Sequence, residues 1–197
     1  MPSICGKITA ALSMDCDNPL QAGTESTLIL VNRADWLDGA FTYNATNAQI
    51  IESVTLATGI QGYAYEGRSN SIGAKYELIK NPYSEVYNHE ISFKVSNVTP
   101  LAKEELEKMA KGSMVAIVHN KFKSSDGSGA YEVYGAGAGL VVTQNIRDVI
   151  NQDNQGAFDI ILKSSELSPE VHMPMTYFIT DFATTKTAVE TILTPAA

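Results

Sequence analysis

The chain has 197 residues, 44% of them hydrophobic and 18% charged, with a net charge of −8. That is enough apolar material for a sizeable core, and the acidic balance argues against holding nucleic acid by neutralising its phosphates. No run of about 18 apolar residues occurs, so no membrane-spanning segment is expected.

The opening Met1-Pro2-Ser3-Ile4-Cys5-Gly6-Lys7 lacks a basic stretch followed by an apolar core. The expectation is therefore no secretory signal and synthesis in a cytosol. Cys5 and Cys16 are the only cysteines, too few for a zinc site unless histidines join them. His89, His119 and His172 are scattered, so free thiols in a reducing compartment are expected instead of a disulfide or a metal site.

Residues 1–26 are rich in Ser, Thr, Asp, Asn and Gly without a sustained period. They read as an extended N-terminal arm, with one short strand around Ile8–Leu12. Residues 27–197 read as a single β-rich domain. Leu28–Val31 is a compact apolar strand, and Asp38-Gly39 turns the chain toward strands at Phe41–Tyr43 and Ile50–Leu56. Tyr63–Glu66 and Ala74–Ile79 follow, and Asn81-Pro82 ends the latter. Ile91, Phe93 and Val95 alternate with Ser92, Lys94 and Ser96, the period of a half-buried strand.

One helix is clearly marked, over about 100–111. Thr99 suits the N-cap, Pro100 the first helical position and Gly112 the residue past the end. Ala102, Leu106, Met109 and Ala110 form its apolar face. Glu104–Lys108 and Glu107–Lys111 are favourable i, i+4 pairs on the other.

Met114–Val118 is a buried strand, and the loop Lys121–Gly129 follows. The polar run Ser124–Gly129 is expected to need contacts from outside its own chain to be ordered. Lys121-Phe122-Lys123 reads as a solvated hairpin tip. Tyr131-Glu132-Val133-Tyr134-Gly135-Ala136-Gly137-Ala138-Gly139-Leu140-Val141-Val142-Thr143 then gives two strands meeting at a glycine bend. A phosphate loop needs a helix behind its glycines, but here strand residues follow and no Gly-Lys-Ser/Thr appears. The glycines are therefore assigned to backbone geometry. A short turn or helix is expected around Asn145–Asn151, with strands at Phe158–Leu162 and Met173–Phe178. Ala183–Leu193 has Val189, Ile192 and Leu193 on one helical face, but the five threonines from Thr184 to Thr194 weaken it as a helix.

Catalytic patterns are missing. No Gly-x-Ser-x-Gly elbow occurs, and Cys5 sits in the arm. Asp15 and Asp17 around Cys16 make only a short acidic turn. His89 and Glu90 precede a strand and point to opposite faces. No catalytic, cofactor-binding or metal residues are assigned, and the chain is not expected to be an enzyme.

The order of arm, strands, one capped helix and further strands resembles the tube-protein fold of phage tails and related injection machines. Tyr131-Glu132-Val133-Tyr134-Gly135, the Gly139-Leu140 step, Gly156-Ala157-Phe158-Asp159-Ile160 and Met173-Pro174 look like the C-terminal half of phage virion proteins of Bacteroidetes hosts. The resemblance implies a mainly β fold, a β-sandwich or barrel with one flanking helix. It also implies a structural virion subunit in hexameric rings or a tube that delivers DNA. Its partners would be further copies of itself and other virion proteins, with DNA as passing cargo. The long arm leaves open a connector, ring or capsid-associated role. The alternative is a non-catalytic carbohydrate- or protein-binding β-sandwich, for which Trp36 with Phe41 and Tyr43, or Tyr63 with Tyr65, would supply an aromatic platform.

Overall fold

Two apolar runs organise the fold. A strand that is covered on both faces carries no polar alternation, and Leu28–Val31 and Met114–Val118 are such strands. In the computed structural model, which describes residues 10–11, 16–68, 70–81 and 84–195, they are the centres of β1 (Thr24–Asn32) and β7 (Met114–Asn120). Of the strand expected around Ile8–Leu12, only Ala10 and Ala11 are among the described residues. Cys5, Asp15 and Pro82 lie outside them as well. β1 begins at Thr24, so the last residues of the expected 1–26 arm are already strand.

The remaining strands are β2 (Ala40–Tyr43), β3 (Ile50–Thr55), β4 (Tyr63–Glu66), β5 (Gly73–Asn81), β6 (Ser84–Val95), β8 (Tyr131–Tyr134), β9 (Leu140–Arg147), β10 (Phe158–Ser164) and β11 (Met175–Tyr177). β7 holds β1 along one edge and β8 along the other, and β1 in turn holds β4. From β8 the sheet runs through β11 and β3 to β2, with β11 and β3 parallel. After β8 the chain leaves the edge of β7 and returns at Leu140, opposite Met114. β9 then turns away to pair with β10, and β6 and β5 complete the second half. The protein is thus mainly β, its sheet folded over at the β8–β9 corner into a sandwich.

Side-chain alternation along β1 and β7 divides the core into two layers. Leu28, Leu30, Met114, Ala116 and Val118 face Ile91, Phe93, Leu140, Ile160 and Leu162 inside the sandwich. Ile29, Val31, Val115 and Ile117 face the opposite way, with Val133, Met175 and Tyr177 beside them.

Among the described residues three helices cover the sheet. The flanking helix α2 occupies Pro100–Lys111 with the expected caps, and Thr99 Oγ1 accepts the Ala102 N–H at 3.3 Å. It buries Leu106 and Met109 against the first layer, while Ala110 stays exposed. Lys108 pairs with Glu104 at 2.9 Å and with Glu105 at 2.8 Å; the expected Glu107–Lys111 pair is not formed. The short α1 (Arg33–Leu37), unmarked in the sequence, buries Trp36 in the second layer.

The C-terminal helix α3 (Phe182–Ile192) forms despite its threonines. Their hydroxyls bond locally: Thr185 donates to the Asp181 carbonyl at 2.7 Å and Thr187 to that of Ala183 at 3.0 Å. Asp181 caps the first turn through the Thr184 N–H at 2.9 Å. Val189 and Ile192 then supply the packing that propensity alone withholds. The turn expected around Asn145–Asn151 is present but begins later, at Val149 and Ile150. β9 runs through Arg147, because Ile146 and Arg147 stay in register with Asp159 and Phe158 of β10.

Candidate functional site

The bend between β8 and β9 is the most elaborate polar site among the described residues. Gly135 and Gly139 have φ of +74° and +86°, which L side chains rarely adopt. A Cβ on Gly135 would meet Leu140 Cγ at 2.6 Å, and one on Gly139 would strike the side chains of Ser113 and Arg33. The turn this produces aims successive backbone N–H groups inward, the geometry of an anion nest.

The anion is the chain's own. Glu170, 5% exposed, offers Oε1 to the N–H groups of Ala138 at 2.8 Å and Gly139 at 3.2 Å, and Oε2 to that of Gly137 at 3.2 Å. Arg33 closes the turn from the other side, donating from Nη2 at 2.6 Å and Nε at 3.1 Å to the Gly137 carbonyl. The expectation of backbone geometry without a phosphate site gains a partner that the sequence reading missed.

His89 joins the same construction. Its Nδ1 accepts the Gly135 N–H at 3.2 Å, so Nε2 carries the proton and donates to the His172 carbonyl at 3.0 Å. Burial lowers its pKa to about 4, against the opposing effect of the His172 carbonyl. The ring is therefore neutral and both nitrogens are engaged. Tyr87 and Glu170 exchange backbone hydrogen bonds at 2.7 and 3.0 Å. Together these contacts fasten the segment between β10 and β11 to β6 and to the glycine turn. A cavity of about 400 Å³ opens beside it, bounded by Arg33, Tyr43, His89 and His172 among others.

Glu90, on the opposite face of β6 as expected, pairs with Lys163 at 2.8 Å and Lys75 at 3.0 Å. Burial opposes ionisation there, but the two lysines hold its carboxyl below the usual range.

Lys121-Phe122-Lys123 is not a free tip. Lys123 lies over the Phe182 ring at 4.3 Å, and the Lys121 N–H bonds the Gly23 carbonyl at 3.0 Å. The Ser124–Gly129 loop is held from within, contrary to the expectation of outside contacts. Asp126 accepts the hydroxyls of Ser124 at 2.6 Å and Ser128 at 2.7 Å. These hydrogen bonds, that of Ser124 foremost, lower the Asp126 pKa to about 2.

The aromatic platforms are not assembled. Trp36 is 3% exposed and packs on Phe41 at 4.7 Å, leaving only Tyr43 of that trio outward. Tyr65 turns inward onto Phe93 at 5.4 Å while Tyr63 stays half exposed. Cys16 is free and exposed. Among the described residues no group of three or more His, Cys, Asp or Glu is placed to hold a metal, and no helix is long and apolar enough to cross a membrane.

What the fold leaves unsatisfied is its strand edges. Among the described residues β2 and β5 end the path of the sheet, and β4 pairs with β1 alone. Beside β4 lies a groove of about 850 Å³ whose far wall is α2. Comparison with family models, curated proteins and solved structures gave no match for this chain.

Proposed function

We propose that this chain is a structural subunit that assembles with copies of itself. With the resemblance described above, that makes it a virion component of ring or tube form through which DNA is delivered. The observation that carries the reading is the β5–β6 hairpin. β10 accompanies β6 only from Val95 to Glu90, and Glu170 adds a single bridge at Tyr87. Among the described residues the pairs Ile79↔Val86, Lys80↔Glu85 and Asn81↔Ser84 continue as two strands alone.

A two-stranded ribbon is marginal in water. This one also exposes Tyr76, Leu78 and Ile79, at 43%, 43% and 38%. Apolar residues on a projecting edge are a liability for a monomer and an asset for a subunit with a neighbour. The buried Trp36 weighs against the rival carbohydrate-binding reading. The net charge of −8 suits a conduit, because carboxylates repel DNA phosphates over about 8 Å at physiological salt.

Negative-stain microscopy and sedimentation of the full chain test the assembly. Rings or tubes with an axial channel are expected, as is failure to retard DNA in a gel at moderate salt. A monomer at every concentration overturns the assembly. A channel lined mainly by lysine and arginine, or a particle without one, overturns the conduit and leaves the assembly.

A further inference from the structure

The groove beside β4 has the form used for strand addition. Among the described residues β4 pairs with β1 alone, which leaves its other side as an edge. Opposite it stands α2, presenting Leu101, Ala102, Glu105, Leu106 and Met109. These positions follow the i, i+4 and i+1, i+5 spacing of one helix face. The floor is apolar, built from Leu30, Tyr65 and Met114, and the rim carries Tyr63 and Leu101, 50% and 67% exposed. An edge strand facing a helix across an apolar trough binds an extended peptide as an additional strand. The main chain pairs with the edge, and alternate side chains enter the trough.

The chain contains a segment of that chemistry. Ile8, Ala10, Leu12 and Met14 are apolar at every second position, and Thr9, Ala11 and Ser13 between them are small or polar. One face of such a strand suits the trough and the other suits water. The described chain before β1 starts out in the wrong direction to reach its own groove. Asn18, Pro19 and Gln21 line a cleft with Lys121–Ser124, and the Gly23 carbonyl bonds the Lys121 N–H at 3.0 Å. That is the β7 side of β1, whereas β4 lies on the other edge.

We infer that residues 8–14 of one copy add as a strand to β4 of a second copy, under α2. The contact is heterologous, because segment and groove are different surfaces, and repeated head to tail it yields rings or filaments. The inference rests on the assembly reading above and adds to it a contact distinct from the β5–β6 hairpin.

Two full-length variants test it, Leu12→Asp in the segment and Leu101→Lys on the groove rim, with Tyr63→Lys as a second rim change. All are followed by sedimentation and by thermal melting. Each variant alone is expected to raise the concentration for half-assembly at least about tenfold, the effect of losing one anchoring side chain, with an unchanged melting temperature. An equimolar mixture of Leu12→Asp and Leu101→Lys is expected to form dimers, since the intact segment of the second fits the intact groove of the first.

A mixture that stays monomeric overturns the inference. So does a Leu12→Asp chain that melts earlier yet assembles normally, which would place the segment in its own groove. If wild type assembles and all variants assemble equally well, this contact is wrong while the assembly reading stands. If wild type never assembles, both fall.

Discussion

Oε1 of Glu170 accepts the N–H of Ala138 at 2.8 Å, joining the segment after β10 to the turn where the sheet folds over. The same carboxylate takes the N–H groups of Gly137 and Gly139 at 3.2 Å. A buried carboxylate with three amide donors is a strong acceptor, and hydrogen bonds to charged groups contribute about 1.5–3 kcal/mol each. Glu170→Ala leaves all three donors without a partner and is expected to cost about 2–4 kcal/mol in urea unfolding. Added acetate is expected to recover part of that loss by entering the vacated nest. Unchanged unfolding midpoints would show that water serves the donors equally well.

The glycines of this turn separate into two kinds. Gly135→Ala and Gly139→Ala force a Cβ into positive φ, a cost of about 1–2 kcal/mol before any clash. Gly137 has an ordinary φ, but its Cβ would stand 2.8 Å from Glu170 Oε2. Gly137→Val is therefore expected to cost at least about 1 kcal/mol, and to cost much less in a Glu170→Ala background. A double-mutant cycle measures that coupling. Additive effects would refute the clash with Glu170.

His89 makes stability depend on pH. Its folded pKa is about 4 against 6.5 unfolded, so between those values the unfolded chain binds the extra proton. Stability is then full above about 6.5 and falls as pH drops toward 4, by at most about 1.4 kcal/mol per pH unit. The ring faces Tyr134 at 5.5 Å and Tyr76 at 6.5 Å. The Asp126 carboxyl, ordinarily 3.8 and held at about 2, loses its contribution only at lower pH. Urea midpoints at pH 7, 6 and 5 should fall steadily in wild type and less steeply in His89→Gln. Parallel slopes in the two proteins would assign the dependence to other groups.

Leu78→Lys and Ile79→Lys place charges on the exposed hairpin, away from both core layers. Surface changes of this kind stay within about 0.5 kcal/mol. The melting temperature should hold while the particles seen by negative stain disappear. Particles identical to wild type would move the contact surface elsewhere.

Much of the architecture was legible in the residues themselves. The Thr99-Pro100 start and Gly112 end bounded α2, the unbroken runs at Leu28–Val31 and Met114–Val118 marked the two central strands, and Tyr63–Glu66 was bounded correctly. These signals are short-ranged: caps, turn residues and the periods of helix and strand act within a few positions of chain. The need for glycine at the β8–β9 bend was legible for the same reason.

Only the tertiary structure decided what those glycines hold. Backbone N–H donors carry no mark in residue type, and their acceptor lies some thirty residues onward in sequence, at Glu170. His89 likewise reads as one scattered histidine until the folding over of the sheet brings Gly135 to its Nδ1. α3 forms where threonine propensity disfavours it, because Val189 and Ile192 find the second core layer. Trp36 is core and not platform because α1 turns it under the sheet. In each case the deciding partner is distant along the chain, so its identity waits on the register that the whole sheet adopts.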